Sequence, residues 1–147
     1  MTKISVGIAA DHAGFEYKEK LKGDLKEEGY EIKDYGTYSA ESTDYPDFAH
    51  PLASAVEKGE HRFGITLCGS GNGINMTANK HCGIRAALCW NQEISELARL
   101  HNDANICSLP SRFVDYNLAK DIAKIFLNTK FEGGRHLRRI EKIPVQS

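Results

Sequence analysis

Residues 63–73, Phe-Gly-Ile-Thr-Leu-Cys-Gly-Ser-Gly-Asn-Gly, run from an apolar segment into Gly69, Gly71 and Gly73. Phe63–Cys68 shows no polar–apolar alternation, which predicts a strand buried on both faces. Asn75–Lys80, just after the glycines, reads as a helix. A strand that leaves through a tight turn for a helix is a βα unit, and the same alternation continues on either side.

Upstream, Ile4–Ala9 reads as a strand, followed by a helix with Tyr17, Leu21 and Leu25 at four-residue spacing and a stop at Gly29. Tyr30–Asp34 makes a second strand. A polar loop through Ser39, Ser42, Asp44 and Pro46 then leads to a helix with Ala49, Leu52, Ala53 and Val56 on one face. Downstream, Ile84–Cys89 and Ile106–Leu109 read as strands four and five. Between them Ile94, Leu97, Ala98 and His101 share a helical face; Leu118, Ile122, Ile125 and Phe126 make the next stripe, and a charged helix runs from about Arg135 to Lys142. Strands alternating with helices, most of the strands short apolar runs, imply a parallel sheet covered on both faces, a three-layer, Rossmann-like α/β/α domain. In such sheets ligands bind at the carboxyl ends of the strands.

The bulk properties narrow the function classes. A chain of 147 residues is the size of one domain and can bury a core without staples. Hydrophobic content of 41% and charged content of 27% are those of ordinary globular proteins. No apolar run is long enough to cross a bilayer, and Met1-Thr2-Lys3 leads straight into a strand, so the reading is cytosolic with no membrane partner. A net charge of −1 with dispersed basic residues argues against nucleic acid. The expected partners are small molecules and other subunits.

Cys68, Cys82, Cys89 and Cys107 form no CxxC pair, and no histidine lies at zinc-finger or zincin spacing from a second ligand, so no metal is expected. Three of these thiols read as buried hydrophobes. Cys68 differs, because it opens the run Cys68-Gly-Ser-Gly-Asn-Gly73. Backbone amides of such a loop, aided by the following helix dipole, suit a phosphate, a thiolate or a developing oxyanion. The bland reading is a tight turn beside a buried cysteine. Two specific rivals fail. A dinucleotide fingerprint needs GxGxxG after the first strand, and a cysteine phosphatase needs an arginine six positions after Cys68, where Ile74 stands.

Other chemistry-bearing groups sit at the remaining strand ends. Asp11-His12 and His101-Asn102-Asp103 offer acid–base groups, or simply helix caps. Arg135 and Arg139, one helical turn apart after Gly133-Gly134, make either a phosphate clamp or a solvated face paired with Glu132 or Glu141. Arg112, in Pro110-Ser111-Arg112, is equally open.

Taken together these segments resemble the ribose-5-phosphate isomerase B family, which includes galactose-6-phosphate isomerase subunits and allose-phosphate isomerases. The landmarks are Asp11-His12-Ala13-Gly14-Phe15, Gly36-Thr37, Thr43-Asp44-Tyr45-Pro46, Cys68 through Ile74, Ala78-Asn79-Lys80, Gly83-Ile84-Arg85-Ala86, His101-Asn102-Asp103, Ser111-Arg112 and Glu132-Gly-Gly-Arg135-His136. Their order and spacing match over nearly the whole chain.

The resemblance implies a five-stranded parallel sheet and a cofactor-free aldose–ketose isomerase. The expected reaction interconverts ribose 5-phosphate and ribulose 5-phosphate, in the non-oxidative branch of the pentose phosphate pathway. Six-carbon sugar phosphates, or binding without catalysis, are the alternatives. Family members carry a cysteine base at the start of the glycine loop or a glutamate near its end; Cys68 and Ile74 indicate the cysteine type. By the same resemblance Ser70 handles protons, the Gly69, Gly71, Asn72 and Gly73 segment forms the anion hole, and His101 opens the sugar ring. Asp11, His12, Tyr45 and Asn102 line the sugar, while Arg112, Arg135 and Arg139 hold the phosphate. The implied assembly is a homodimer, sometimes a tetramer, with the C-terminal helix at its interface. In its shared pockets Cys68, Asp11 and the C-terminal arginines are expected from one chain, and His101 and Arg112 from the other.

Overall fold

The computed structural model describes residues 2–145, so Met1 of the N-terminal reading lies outside the described residues. Five strands, β1 (Ser5–Ala10), β2 (Glu31–Asp34), β3 (Phe63–Cys68), β4 (Ala86–Leu88) and β5 (Ile106–Pro110), form one parallel sheet in the order β2-β1-β3-β5-β4. Between and after them come α1 (Phe15–Glu27), α2 (Pro46–Glu57), α3 (Asn72–Ala78), α4 (Gln92–Asn102), α5 (Tyr116–Asn128) and α6 (Arg135–Ile140).

Strand alternation sorts the core into two layers. Val6, Ile8 and Ala10 of β1 pack with Leu21 and Leu25 of α1, Ala98 of α4, and Ile122 and Phe126 of α5. Ala9 of the same strand packs on the opposite side with Leu52, Ala53 and Val56 of α2 and Ala78 of α3. A Cβ on Gly7 would run into Leu52, so the glycine lets α2 approach the central strand closely. The three-layer expectation holds. No described helix is long and apolar enough to cross a membrane.

Several element ends shift by a few residues from the periodicity reading, and two of the differences bear on the site. The fourth strand shrinks from Ile84–Cys89 to Ala86–Leu88, because Ile84 N–H closes a turn onto His81 O (3.0 Å) and Arg85 O is taken by Asn105 N–H (2.9 Å). The third helix starts at Asn72 rather than Asn75, since Gly71 takes a left-handed φ of 76° and turns the chain at once. A Cβ there would stand 2.5 Å from Leu88 Cδ1 and 3.2 Å from Pro110 N, so only glycine fits.

The sheet order places β1 and β3 side by side at the centre, with the chain departing to opposite edges from that pair. Their carboxyl ends form a topological switch point, where an open α/β sheet leaves a crevice.

Candidate active site

That crevice is a cavity of about 450 Å³ lined by Asp11, His12, Ala13, Tyr45, Cys68, Gly69, Ser70, Gly73, Arg112 and Phe113. Each strand end at the centre of the sheet contributes. β1 delivers Asp11 and His12, β3 delivers Cys68 and the glycine loop, and the turn after β5 delivers Arg112.

The loops are tied to one another through short bonds. Ser111 Oγ donates within reach of both Ala13 O (2.9 Å) and Cys68 O (3.1 Å), joining the ends of three strands. Ser111 N–H donates to Cys68 O (3.0 Å) and Arg112 N–H to Gly69 O (3.0 Å). The glycines make room for side chains. A Cβ on Gly69 would meet Arg112 Cδ at 3.2 Å and Nη1 at 3.3 Å, and one on Gly73 would overlap the Tyr45 ring. Arg112 and Tyr45 therefore lie directly over the loop.

Bond directions fix what several groups can offer. Asp11 Oδ1 accepts from Ala13 N–H (2.9 Å) and Gly14 N–H (3.2 Å), which leaves Oδ2 for a ligand hydroxyl. Thr43 N–H donates to His12 Nδ1 at 3.1 Å. A backbone amide can only donate, so Nδ1 is the acceptor and the neutral ring carries its proton on Nε2. Ser70 Oγ accepts from Asn72 N–H (3.2 Å), leaving its own proton to be donated. Cys68 is 4% exposed and packs against Ala49 and Ile74. Ile74 is fully buried, so an apolar side chain fills the position of the alternative glutamate.

The remaining expected residues gather elsewhere. His101 ends α4 and stacks on His136 of α6, with ring centroids 4.2 Å apart and planes 13° from parallel. Glu132 reaches both rings, Oε2 at 3.9 Å from His101 Nε2 and Oε1 at 3.8 Å from His136 Nε2. Burial, then neighbouring His101 and Arg135, hold the His136 ring below the ordinary imidazole range. Arg135 and Arg139 are exposed on α6 and make no ion pair among the described residues, so pairing with Glu132 or Glu141 is not what occupies them.

This grouping corrects one expectation. Arg112 lines the same cavity as Cys68 within one chain, while Arg135 and Arg139 share a helix with the partner of His101. The structure thus divides the expected site residues into a Cys68–Asp11–His12–Arg112 group and a His101–Asn102–Arg135–Arg139 group. Placing Arg112 with His101 was what the resemblance implied; in the fold the turn after β5 lies against the glycine loop, where Arg112 N–H donates to Gly69 O (3.0 Å).

Several contributors appear in the sequence only as members of a motif, with no structural role assigned to them there. Ser111 and Thr43 act through single hydrogen bonds across the fold. The Asn102–Asp103 turn, with Asp103 at a left-handed φ of 45°, is held by two guanidinium groups. Arg99 Nη1 donates to Asp103 Oδ1 (2.8 Å), and Arg85 Nε donates to Asn102 O (2.9 Å). Arg99 is 2% exposed, although charge at that position reads as surface.

The sequence profile described as Ribose/Galactose Isomerase matches residues 6–143. Ribose-5-phosphate isomerase B of Escherichia coli strain K12 is 46% identical over 97% of this chain and 95% of its own. The crystal structure of a ribose 5-phosphate isomerase from Thermotoga maritima superposes with a TM-score of 0.95 at 50% identity, covering 97% of this chain and 99% of that one. Ribose-5-phosphate isomerase B from Mycoplasma genitalium, with ribulose 5-phosphate bound, gives a TM-score of 0.93 at 41% identity over 97% and 95% of the two chains. The chain belongs to the ribose/galactose isomerase family, in its ribose-5-phosphate isomerase B group.

Proposed function

We propose that this protein interconverts ribose 5-phosphate and ribulose 5-phosphate through a cis-enediolate, with Cys68 as the base, in a pocket completed by a second copy of the chain. The observation that carries the reading is the split just described. Cys68, Asp11, His12 and Arg112 line one cavity, and His101 with Arg135 and Arg139 occupies a separate region. Exposed apolar side chains beside both groups, Phe113 at 76% and Leu137 at 47%, suit a surface that a second copy covers. A two-fold operation would bring each group of one chain to the complementary group of the other.

The chemistry follows from the residues. Isomerisation moves a proton from carbon two to carbon one, so a single base beside both carbons serves the whole transfer. Cys68, at the end of β3, is the residue at the floor of the cavity suited to that role. The enediolate is anionic, and donors fixed before it forms favour it more than they favour the neutral sugar. The amides of Gly69, Ser70, Gly71 and Gly73 and the Ser70 hydroxyl supply those donors, while the Asn72 amide is engaged by Ser70 Oγ. A furanose opens first; His101 of the second copy is the group assigned to the ring oxygen. Arg112 from one chain, with Arg135 and Arg139 from the other, holds the phosphate, and His12 offers Nε2–H to the sugar. No electron or group is transferred, so the reaction draws on no cofactor chemistry. A cytosolic setting, where thiols stay reduced, suits a cysteine base.

A panel of four-, five- and six-carbon sugar phosphates tests the reading. Ribose 5-phosphate should turn over with the highest kcat/KM, and Cys68→Ala should lower kcat by about 10²–10⁴-fold while phosphosugar still binds. Preference for a six-carbon substrate would change the substrate assignment. Binding of every sugar with turnover of none would identify a binding protein.

A further inference from the structure

The His101–Glu132–His136 cluster has a feature that sugar isomerisation does not use. His136 is 6% exposed, and its Nε2 has no hydrogen-bond partner among the described residues. A buried ring nitrogen without a partner is destabilising, so its position calls for a reason. It lies 3.8 Å from Glu132 Oε1, and donor atoms of His101, Glu132 and His136 all fall within 4.8 Å of one another.

We propose that these three side chains form a binding site for a divalent transition ion of the zinc class, and that occupancy of the site inhibits the enzyme. Two imidazoles and a carboxylate are the donor set of open zinc sites, with a fourth position left for water. Glu132 and the His101 side chain are both partly exposed, so the ion has an entry path and room for that water. The ligands sit on tethered backbone. Glu132 N–H donates to Leu100 O (3.0 Å), fixing it beside the last turn of α4, and His136 N–H donates to Gly133 O (3.3 Å). Arg135 and Arg139 add positive charge nearby, which sets the affinity below that of a structural zinc site.

Inhibition follows from the ring geometry and rests on the ring-opening role proposed for His101. With the two rings 13° from parallel, their in-plane lone pairs do not converge on one point. Coordination therefore requires the more exposed His101 ring to tilt out of the stack, which removes its nitrogen from the sugar.

Co²⁺ is the spectroscopic probe and Zn²⁺ the inhibitor. Titrating the intact protein with Co²⁺ should produce visible d–d bands without thiolate-to-cobalt charge transfer, and Zn²⁺ should displace them. Glu132→Gln, an exposed change that leaves the core untouched, should weaken Co²⁺ binding at least about tenfold. His136→Asn should do the same if it folds. Zn²⁺ should inhibit the wild type, EDTA should reverse the inhibition, and Glu132→Gln should resist it by a similar factor. Absence of d–d bands, or thiolate charge transfer that survives in Glu132→Gln, would overturn the site and place the metal on Cys68 or exposed Cys82. Binding as described without inhibition would uphold the site and count against His101 as the ring-opening group.

Discussion

His12 and Thr43 exchange two hydrogen bonds across 31 residues, His12 N–H to Thr43 Oγ1 (3.1 Å) and Thr43 N–H to His12 Nδ1 (3.1 Å). The pair closes the loop before α2 onto the end of β1 and leaves Nε2–H as the only polar edge of the ring that can face a ligand. Nitrogen-15 NMR of the neutral ring should show the Nε2–H tautomer. Replacing His12 with Phe removes the Nε2–H donor and the acceptor for Thr43 N–H together, and should weaken phosphosugar binding and lower stability by about 0.5–1.5 kcal/mol each, the range for a neutral hydrogen bond. A protonated Nδ1 in the neutral protein would contradict the assignment.

Lys18 is fully buried and its ammonium lies 2.6 Å from Asp34 Oδ2. Burial is the largest influence on the Asp34 carboxyl and pushes it up, but bonds from Lys18, Lys22 and Gly36 N–H outweigh it and hold the group below the usual range. Asp34→Asn leaves the buried Lys18 ammonium with Glu19 Oε2 (2.7 Å) as its remaining carboxylate partner and should destabilise the fold by about 1.5–3 kcal/mol, the range for a hydrogen bond to a charged group, measured by urea unfolding at pH 7. Because the folded value is the lower one, this contribution is fully present above about pH 4, the unfolded value, and is lost as the pH falls through the folded one. A loss under 1 kcal/mol would mean the ammonium finds another partner.

The His61 ring sits between Ser5 Oγ (2.7 Å, at Nδ1) and Tyr35 Oη (2.6 Å, at Nε2) and is 8% exposed. Burial is the main cause that pushes its proton affinity below the ordinary histidine value, with Lys33 adding to it against Glu60 and Glu31. The folded value being the lower one, its contribution is complete above about pH 6.5 and declines as acid charges the unfolded chain first. Urea midpoints should therefore fall between pH 7 and pH 5 more steeply in wild type than in His61→Gln. Parallel curves would show that His61 is not the group responsible.

Most of the fold was legible because β1, β3 and β5 are short, mostly apolar runs, and Phe63–Cys68 matches β3 residue for residue. The site was legible as a set of residues through its motifs, but its grouping was not. Which strand end Arg112 reaches depends on β5 inserting between β3 and β4, and sequence order places β4 first. Nothing in the sequence marks Lys18 and Arg99 as buried, because their partners, Asp34 and the Thr129 and Ala104 carbonyls, come together only in the folded chain. The His101–His136 stack joins residues 35 apart by the same route.

The central claim, a pocket assembled from two chains, is tested most directly by complementation. Cys68→Ala and His101→Ala proteins, each inactive, are unfolded together in equal amounts and refolded. Random pairing makes about half the dimers mixed, and each mixed dimer holds one doubly altered site and one intact site. Activity should return to about a quarter of wild type. Cys68→Ala mixed with Arg139→Ala should recover likewise, whereas Cys68→Ala mixed with Arg112→Ala, two changes in one cavity, should not. Flat activity for the Cys68→Ala and His101→Ala pair, with mixed dimers verified by mass spectrometry, would contradict the shared site.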